Sequence, residues 1–240
     1  MAIFGDSNDN YLPGTADTDY IDGREGQDTM EGFTGDDTYV VDILFNINGN
    51  GDNVIEQAGE GTDTVVSSAD FFHNRLFNNV ENLTLVGNVR YGRGNDLNNT
   101  IQGTDGDNVL WGHEGNDYLY SNAGNDYLNG YGGGTERDRL TGGTEADQFV
   151  LGGELVRGGN KFAFYTGDGD AGYATIRDFS RSSGDKIIAY GSRDDYRLDY
   201  SQNLSGTSAK DTAIYYENDL IAVVTDKTYI SRTQDFTFVL

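Results

Sequence analysis

Ten Asp or Asn side chains recur along this 240-residue sequence at nearly fixed spacing. They are Asn10, Asp19, Asp28 and Asp37, then Asn99, Asn108, Asp117, Asp126, Asp138 and Asp147. Within each group neighbours stand nine residues apart, except for twelve between Asp126 and Asp138. A regular row of carboxylates suits the capture of hard cations through oxygen, as in calcium sites. The overall balance agrees: 40 Asp+Glu face 16 Lys+Arg, a net charge of −24. A nucleic-acid duplex or an anionic bilayer would repel such a surface, so no nucleic-acid partner is expected. Cysteine is absent, which removes disulfides and thiolate zinc sites.

The elements that must hold these carboxylates follow from the residues around them. From Gly5 the chain reads in nines: GDSNDNYLP, GTADTDYID, GREGQDTME, GFTGDDTYV. From Gly94 it reads GNDLNNTIQ, GTDGDNVLW, GHEGNDYLY, SNAGNDYLN, then a twelve-residue GYGGGTERDRLT and a closing GGTEADQFV. The first residue is Gly in every unit but the one starting at Ser121, and the sixth, or the ninth in the twelve-residue unit, is always Asp or Asn. Two residues after the sixth comes an apolar side chain: Leu12, Ile21, Met30, Tyr39, Ile101, Leu110, Leu119, Leu128, Leu140 and Phe149. The 34 Gly against one Pro suit a chain that turns often and tightly.

A three-residue strand points its central side chain to one side and its neighbours to the other. One apolar residue per nine therefore builds a thin core between two sheets. If two units make one coil, carboxylates 18 residues apart stack at roughly 4.8 Å. Asp19 then lies over Asp37, Asp117 over Asp138, and Asp126 over Asp147. Two bare carboxylates at that distance repel by about 1 kcal/mol in water and about 3.5 kcal/mol at an effective dielectric near 20. A divalent cation between them reverses the sign.

These units resemble the RTX (repeats-in-toxin) nonapeptide G-G-x-G-x-D-x-U-x, and the two arrays, 5–40 and 94–150, carry the resemblance. It implies an all-β fold, a right-handed parallel β-roll (a β-solenoid), with Ca²⁺ held between turns. The sixth-position side chains would be its ligands, and turn glycines such as Gly14, Gly23, Gly32, Gly103, Gly112, Gly130 and Gly142 would add carbonyls. Asn10, Asn99 and Asn108 are neutral and open the two arrays, so their coils are expected to bind weakly or to act as caps. Leu97 and Glu145 stand where a small turn residue is expected. About three to six ions are anticipated.

Residues 41–93 break the period but keep strand-like pieces: Asp52–Gln57, Gly61–Ser68 and Asn79–Gly87. They are expected to form wider coils of one stack, with a loop bulging around Phe71–Phe77. The expected division is a calcium-binding roll over 1–160 and a β-rich cap over 161–240. The cap candidate holds Tyr173–Tyr190, which resembles the block that follows the roll in RTX proteins, and a hairpin turning at Glu217–Asp219. A solenoid needs its open sheet end covered. The final QDFTFVL resembles an uncleaved type I secretion signal, which implies a type I exporter as partner. The start MAIFGDSNDN has neither a basic patch nor an apolar core of the Sec type, and no run of about 18 apolar residues exists to span a membrane.

Two enzyme readings compete with this one. Phe4-Gly5-Asp6-Ser7 resembles the nucleophile block of GDSL-type esterases, and Asp70 with His73 spells that family's D-x-x-H. The gap between them is short and carries no alternating helix pattern, and the G-x-N-D block is missing. An unsupported Ser is a weak nucleophile. His113-Glu114 begins a zinc-protease H-E-x-x-H, but Asp117 stands in place of the second His. The expectation is therefore a secreted, non-enzymatic calcium-binding protein at a bacterial cell surface or in the extracellular matrix. A glycan- or protein-binding adhesin-like module is the alternative, with Trp111, Tyr118, Tyr120 and Tyr127 as outward rings.

Overall fold

In the computed structural model, residues 1–43, 51–71, 75–154, 159–205 and 207–240 are described. Each repeat forms a short turn and a strand of three to five residues, with its apolar residue facing inward. Tyr20–Asp22 inserts Ile21, Thr29–Glu31 inserts Met30, Tyr118–Tyr120 inserts Leu119, and Arg139–Thr141 inserts Leu140. All ten expected core side chains are buried.

Successive strands alternate between two sheets, so each pairs in parallel with the strand two units on. Ile21 lies opposite Tyr39, Ile101 opposite Leu119, and Leu110 opposite Leu128, an offset of 18 residues each time. The twelve-residue unit keeps the register, because Leu119 lies opposite Leu140. Its three extra residues are absorbed in the turn, where Gly133 and Gly134 take positive φ. The architecture is the parallel β-roll.

One sheet of twelve strands runs from Ala2–Phe4 through 41–93 without interruption, by way of Thr64–Ser67 and Asn82–Leu85. The opposite side is split among the described residues. Tyr11–Pro13, Thr29–Glu31 and Asn53–Ile55 form one sheet, and six strands beginning at Tyr91–Arg93 form the other. The loop expected to bulge out includes Phe72–Asn74, which lie outside the described residues. At its described ends Phe71 and Leu76 are buried, and their N–H groups donate to the carbonyls of Tyr91 and Arg93. Those ends pack inward because two large apolar side chains find the core between the split sheets.

Beyond residue 160 strands continue both sheets. Ala174–Ile176 and Asp219–Val224 extend the long sheet in parallel, and Lys186–Tyr190 and Phe236–Val239 extend the other. The hairpin read at Glu217–Asp219 joins Thr212–Tyr216 to Asp219–Val224, with Glu217 at φ 53°. Its antiparallel neighbour Tyr196–Asp199 ends the long sheet. Among the described residues the sole helical element is the 3₁₀ turn Arg193–Asp195, and no helix is long and apolar enough to cross a membrane.

Candidate metal centres along the turns

The carboxylates form two ladders, one along each line of turns. Wherever an array holds a repeat one coil later, the ladder residue donates its backbone N–H to a side-chain oxygen of the ladder residue in that coil. Asn10 donates to Asp28 at 2.8 Å, Asp19 to Asp37 at 2.7 Å, and Asn99 to Asp117 at 2.7 Å. Asn108 donates to Asp126 at 2.6 Å, Asp117 to Asp138 at 2.8 Å, and Asp126 to Asp147 at 3.1 Å. One oxygen of each acid is thus committed to the fold. The other oxygen decides what the site can do.

For Asp28, Asp37, Asp117, Asp126 and Asp147 that second oxygen, Oδ2, is buried without a hydrogen-bond partner. A buried unpaired carboxylate is costly, and the group answers by holding a proton or by taking a cation. Burial, reinforced by the charges of Asp138 and Glu136, pushes Asp117 up to about 9. Burial first, then the charges of Asp126, Asp185 and Asp178, raises Asp147 to about 8. Burial likewise raises Asp126 to about 6 and shifts Asp28 and Asp37 upward.

Two expected ligands are engaged otherwise. Asp19 lies 2.7 Å from the Met1 ammonium, and its other oxygen accepts the Thr15 N–H and hydroxyl. Burial pushes Asp19 up, but these partners outweigh it and hold the carboxyl below its usual range. Asp138 accepts the Tyr165 hydroxyl at 2.5 Å on Oδ2, and burial raises it to about 7.

The three asparagines complete their own hydrogen bonding. The Asn108 amide donates to the Val89 carbonyl at 3.0 Å and to Thr104, while its oxygen accepts the Thr104 N–H. The Asn99 amide donates to the carbonyls of Val80 and Glu81 and to Asn95. Asn10 bonds Asp6 with both ends of its amide. Here an NH₂ group supplies the positive partner that a bare carboxylate lacks.

The first-position glycines are required by the same geometry, because the sixth side chain folds back over the glycine Cα. A Cβ would lie 2.4 Å from Asp28 Oδ2 at Gly23, 2.1 Å from Asp117 Oδ2 at Gly112, and 2.3 Å from Asp147 Oδ2 at Gly142. Gly14, Gly32, Gly103 and Gly130 meet Asp19, Asp37, Asn108 and Asp138 in the same way. At Gly14 the Gly32 carbonyl oxygen comes equally close, at 2.8 Å from that point, so a main-chain oxygen shares the cleft. The Gly142 carbonyl is instead taken by the hydroxyl of Ser121, at the one repeat that does not begin with glycine.

The donor set is all oxygen, with buried charge and main-chain carbonyls beside it, which fits Ca²⁺. Residues 3–41 and 93–128 match the family model of the RTX calcium-binding nonapeptide repeat, in four copies. Those matched residues carry RTX calcium-binding repeats. The ladders also run past them, through Asp138 and Asp147. No curated protein matches the chain. Among solved structures, the extracellular lipase LipA from Serratia marcescens is 14% identical, with a TM-score of 0.26. The alignment covers all of this chain, which spans 40% of the length of that lipase chain, and carries no weight for activity.

Several acids outside the nine-residue frame join the ladders. Asp52 accepts the Asp28 N–H, Asp63 the Asp37 N–H, Glu81 the Asp63 N–H, and Asp185 the Asp147 N–H. The acid-x-apolar offset survives in all four, as Asp52-x-Val54, Asp63-x-Val65, Glu81-x-Leu83 and Asp185-x-Ile187. That offset, followed without the period, would have found them. Glu136 accepts the Gly132 N–H, keeps a buried Oε2 without a partner, and is raised to about 8 by burial and the Asp138 charge.

Of the residues considered for catalysis, Ser7 is exposed in the first turn. Asp70 accepts the backbone N–H groups of Arg90 and Tyr91, and His73 lies outside the described residues. His113 is lowered to about 4 by burial and by the charges of Arg75 and Arg93. The four aromatic candidates divide between the sheets, Tyr118 and Tyr120 on one and Trp111 and Tyr127 on the other.

Proposed function

We propose that this is a secreted, non-enzymatic RTX protein that folds when it meets calcium outside the cell. The observation that carries the reading is the row of buried carboxylate oxygens left without partners along both ladders. In the cytosol, at submicromolar Ca²⁺, these groups repel one another and disfavour the roll, keeping the chain exportable through a type I system. Outside, calcium in the range typical of extracellular modules, about 10⁻⁴–10⁻³ M, drives folding. Three to six ions are proposed. Asp28, Asp37, Asp117, Asp126 and Asp147 are the principal ligands, turn carbonyls complete the shells, and the asparagine coils act as caps. After folding, the roll serves as a cell-surface or matrix component.

Circular dichroism during a Ca²⁺ titration of EGTA-treated protein tests this reading. The expected result is a disordered spectrum that becomes β-rich with added calcium. A full β signal before any calcium is added would overturn it.

A glycan- or protein-binding role is the second reading, and the outer row Tyr91–Trp111–Tyr127 favours it. Trp111 stacks within 6° of parallel on Tyr91 at 6.2 Å, and Arg93 lies over the indole at 4.2 Å. Glycan arrays with Trp111→Ala and Tyr127→Ala test it. Unchanged binding in both variants would exclude this face.

A further inference from the structure

On the outer face of the long sheet, three strands border a cleft that holds none of the ladder side chains. Tyr118–Tyr120, Arg139–Thr141 and Ala174–Ile176 lie side by side, with Tyr118 opposite Arg139 and Arg139 opposite Thr175. Tyr173, Thr175 and Arg177 donate alternate N–H groups to the carbonyls of Glu136, Asp138 and Leu140, so the chain stays extended through all three. Strand alternation then puts their side chains on one face, while Ala174 and Ile176 are buried on the other. Arg139 and Arg177 stand about 8 Å apart at the backbone, one strand across and two residues along.

The far wall comes from the chain beyond Tyr200, and buried Asp211 fixes it against the sheet. Asp211 accepts the N–H groups of Leu204 and Ser205 at 2.6 and 2.8 Å, the Ser205 hydroxyl at 3.0 Å and the Asp226 N–H at 2.7 Å. The space enclosed is about 430 Å³, and small-ligand sites span about 300–1,000 Å³. Of the ten described residues that line it, six carry a hydroxyl: Tyr118, Tyr173, Thr175, Ser205, Thr207 and Thr225. Leu204 is the one aliphatic side chain among them, so an apolar ligand finds little there. The charge of the cleft runs against that of the molecule. Two arginines line it against Asp226 alone, in a chain of net charge −24. Asp226 is engaged at the rim, where it accepts the Thr207 hydroxyl. Arg139 lies over the Tyr118 ring at 4.6 Å and donates one N–H to the phenol oxygen. Among the described residues no carboxylate pairs with Arg139, and the Arg177 guanidinium has neither a hydrogen-bond nor an ion-pair partner.

The geometry points to a binding site for an acidic saccharide, a uronic-acid sugar whose carboxylate is held by Arg139 and Arg177. Guanidinium groups bind carboxylates through paired, charge-assisted hydrogen bonds. The Ser and Thr hydroxyls of the walls both donate and accept, as the hydroxyls of a sugar ring require. A bare carboxylate would leave most of the cleft unfilled, and a neutral sugar would leave both arginines unpaired. The site lies on the opposite sheet from the Tyr91–Trp111–Tyr127 row and does not depend on that row binding anything. It needs only the folded roll.

Isothermal titration calorimetry of the full chain in saturating Ca²⁺ tests the assignment. The probes are uronic-acid tetrasaccharides of hyaluronan and of polygalacturonate, with chitotetraose as a neutral counterpart. Binding of an acidic sugar and not of chitotetraose is expected, weakened about tenfold or more in Arg139→Gln and in Arg177→Gln. Both arginines are exposed, so these variants should keep the wild-type dichroism spectrum in calcium. Arg24→Gln removes one positive charge from the first array and should bind as the wild type does. Undiminished binding in both cleft variants overturns the site, because the sugar then reaches the protein through bound calcium or another face. Equal binding of chitotetraose, or full competition by acetate at the sugar's own concentration, overturns the saccharide assignment. No binding of either acidic sugar at millimolar concentration overturns it outright. A roll that folds without calcium leaves this test intact, since the titration needs only the folded chain.

Discussion

Replacing Asp117 by Asn should act in opposite directions with and without calcium. Asp117 is fully buried, its Oδ1 accepts the Asn99 N–H, and its Oδ2 has no partner. In the metal-free fold its pKa of about 9 keeps it protonated at pH 7, whereas the unfolded chain, near 3.9, is ionised. Taking up that proton spans about 3 pH units at 1.36 kcal/mol each, a penalty of about 4 kcal/mol. Any folded pKa above 7 gives the same figure at pH 7. Because the folded pKa is raised, the penalty is absent below about pH 4, grows as pH rises, and levels off near pH 9.

The Asp117→Asn side chain escapes this penalty but leaves an amide seeking acceptors, at about 1–3 kcal/mol. The metal-free variant should therefore be more stable than the wild type at pH 7 by about 1–3 kcal/mol. That advantage should vanish between about pH 5 and 6 and reverse near pH 4, where only the amide's cost remains. In calcium the sign reverses, because an anionic ligand is gone, and the variant should need more Ca²⁺ to fold. Trimethylamine oxide favours compact states, so the concentration needed to fold each protein in EGTA reports the metal-free difference. Circular dichroism during a Ca²⁺ titration reports the other arm. If Asp117→Asn folds less readily in EGTA at pH 7 as well as in calcium, the fold itself supplies the partner for Asp117, and the reasoning fails.

The unfolded metal-free chain and the calcium-loaded roll both hold these carboxylates ionised near neutral pH, so the wild-type Ca²⁺ midpoint should change little between about pH 7 and 8 by the same dichroism signal. A midpoint that falls steeply over that range would show that a compact, protonated metal-free state is populated and argue against calcium-driven folding. Gly112→Ala puts a Cβ 2.1 Å from Asp117 Oδ2, and it should lose one calcium by equilibrium dialysis and lower the melting temperature in calcium. Leu119→Ala empties a fully buried position in the central coil and should cost about 2–5 kcal/mol in urea unfolding of the calcium-loaded protein. Arg181→Met strips the bidentate cation from buried Asp235 and should cost about 1–3 kcal/mol in the same assay, with the ion count unchanged.

How much of this was legible beforehand differs between the strands and the sites. Ile21, Leu119 and Phe149 could be placed in the core from a short window, because turn, acid and apolar residue are local in sequence. Asp52, Asp63 and Asp185 kept the acid-x-apolar offset, but the broken period hid them. Glu56 gave no such signal, because it stands where the repeats carry glycine, one coil on from Gly32, and only the stacking of the coils brings it to Asp37 and Asp63. The inward packing of Phe71 and Leu76 was equally hidden, because it depends on a gap between two sheets.

By itself the sequence determined the repeating unit: glycine where a side chain must fold over the backbone, an acid to bridge coils, and one apolar residue to fill a thin core. Those requirements lie within nine residues, so they are written in order along the chain. Only the tertiary structure decided which acids are left wanting a cation. The Met1 ammonium meets Asp19, Tyr165 meets Asp138, and Arg181 meets Asp235, each from a distant part of the chain. Asp117, Asp126 and Asp147 receive no such partner. A carboxylate's demand for a metal is set by what remains after neighbouring coils have supplied their hydrogen bonds and charges, and that remainder is a property of the packed molecule.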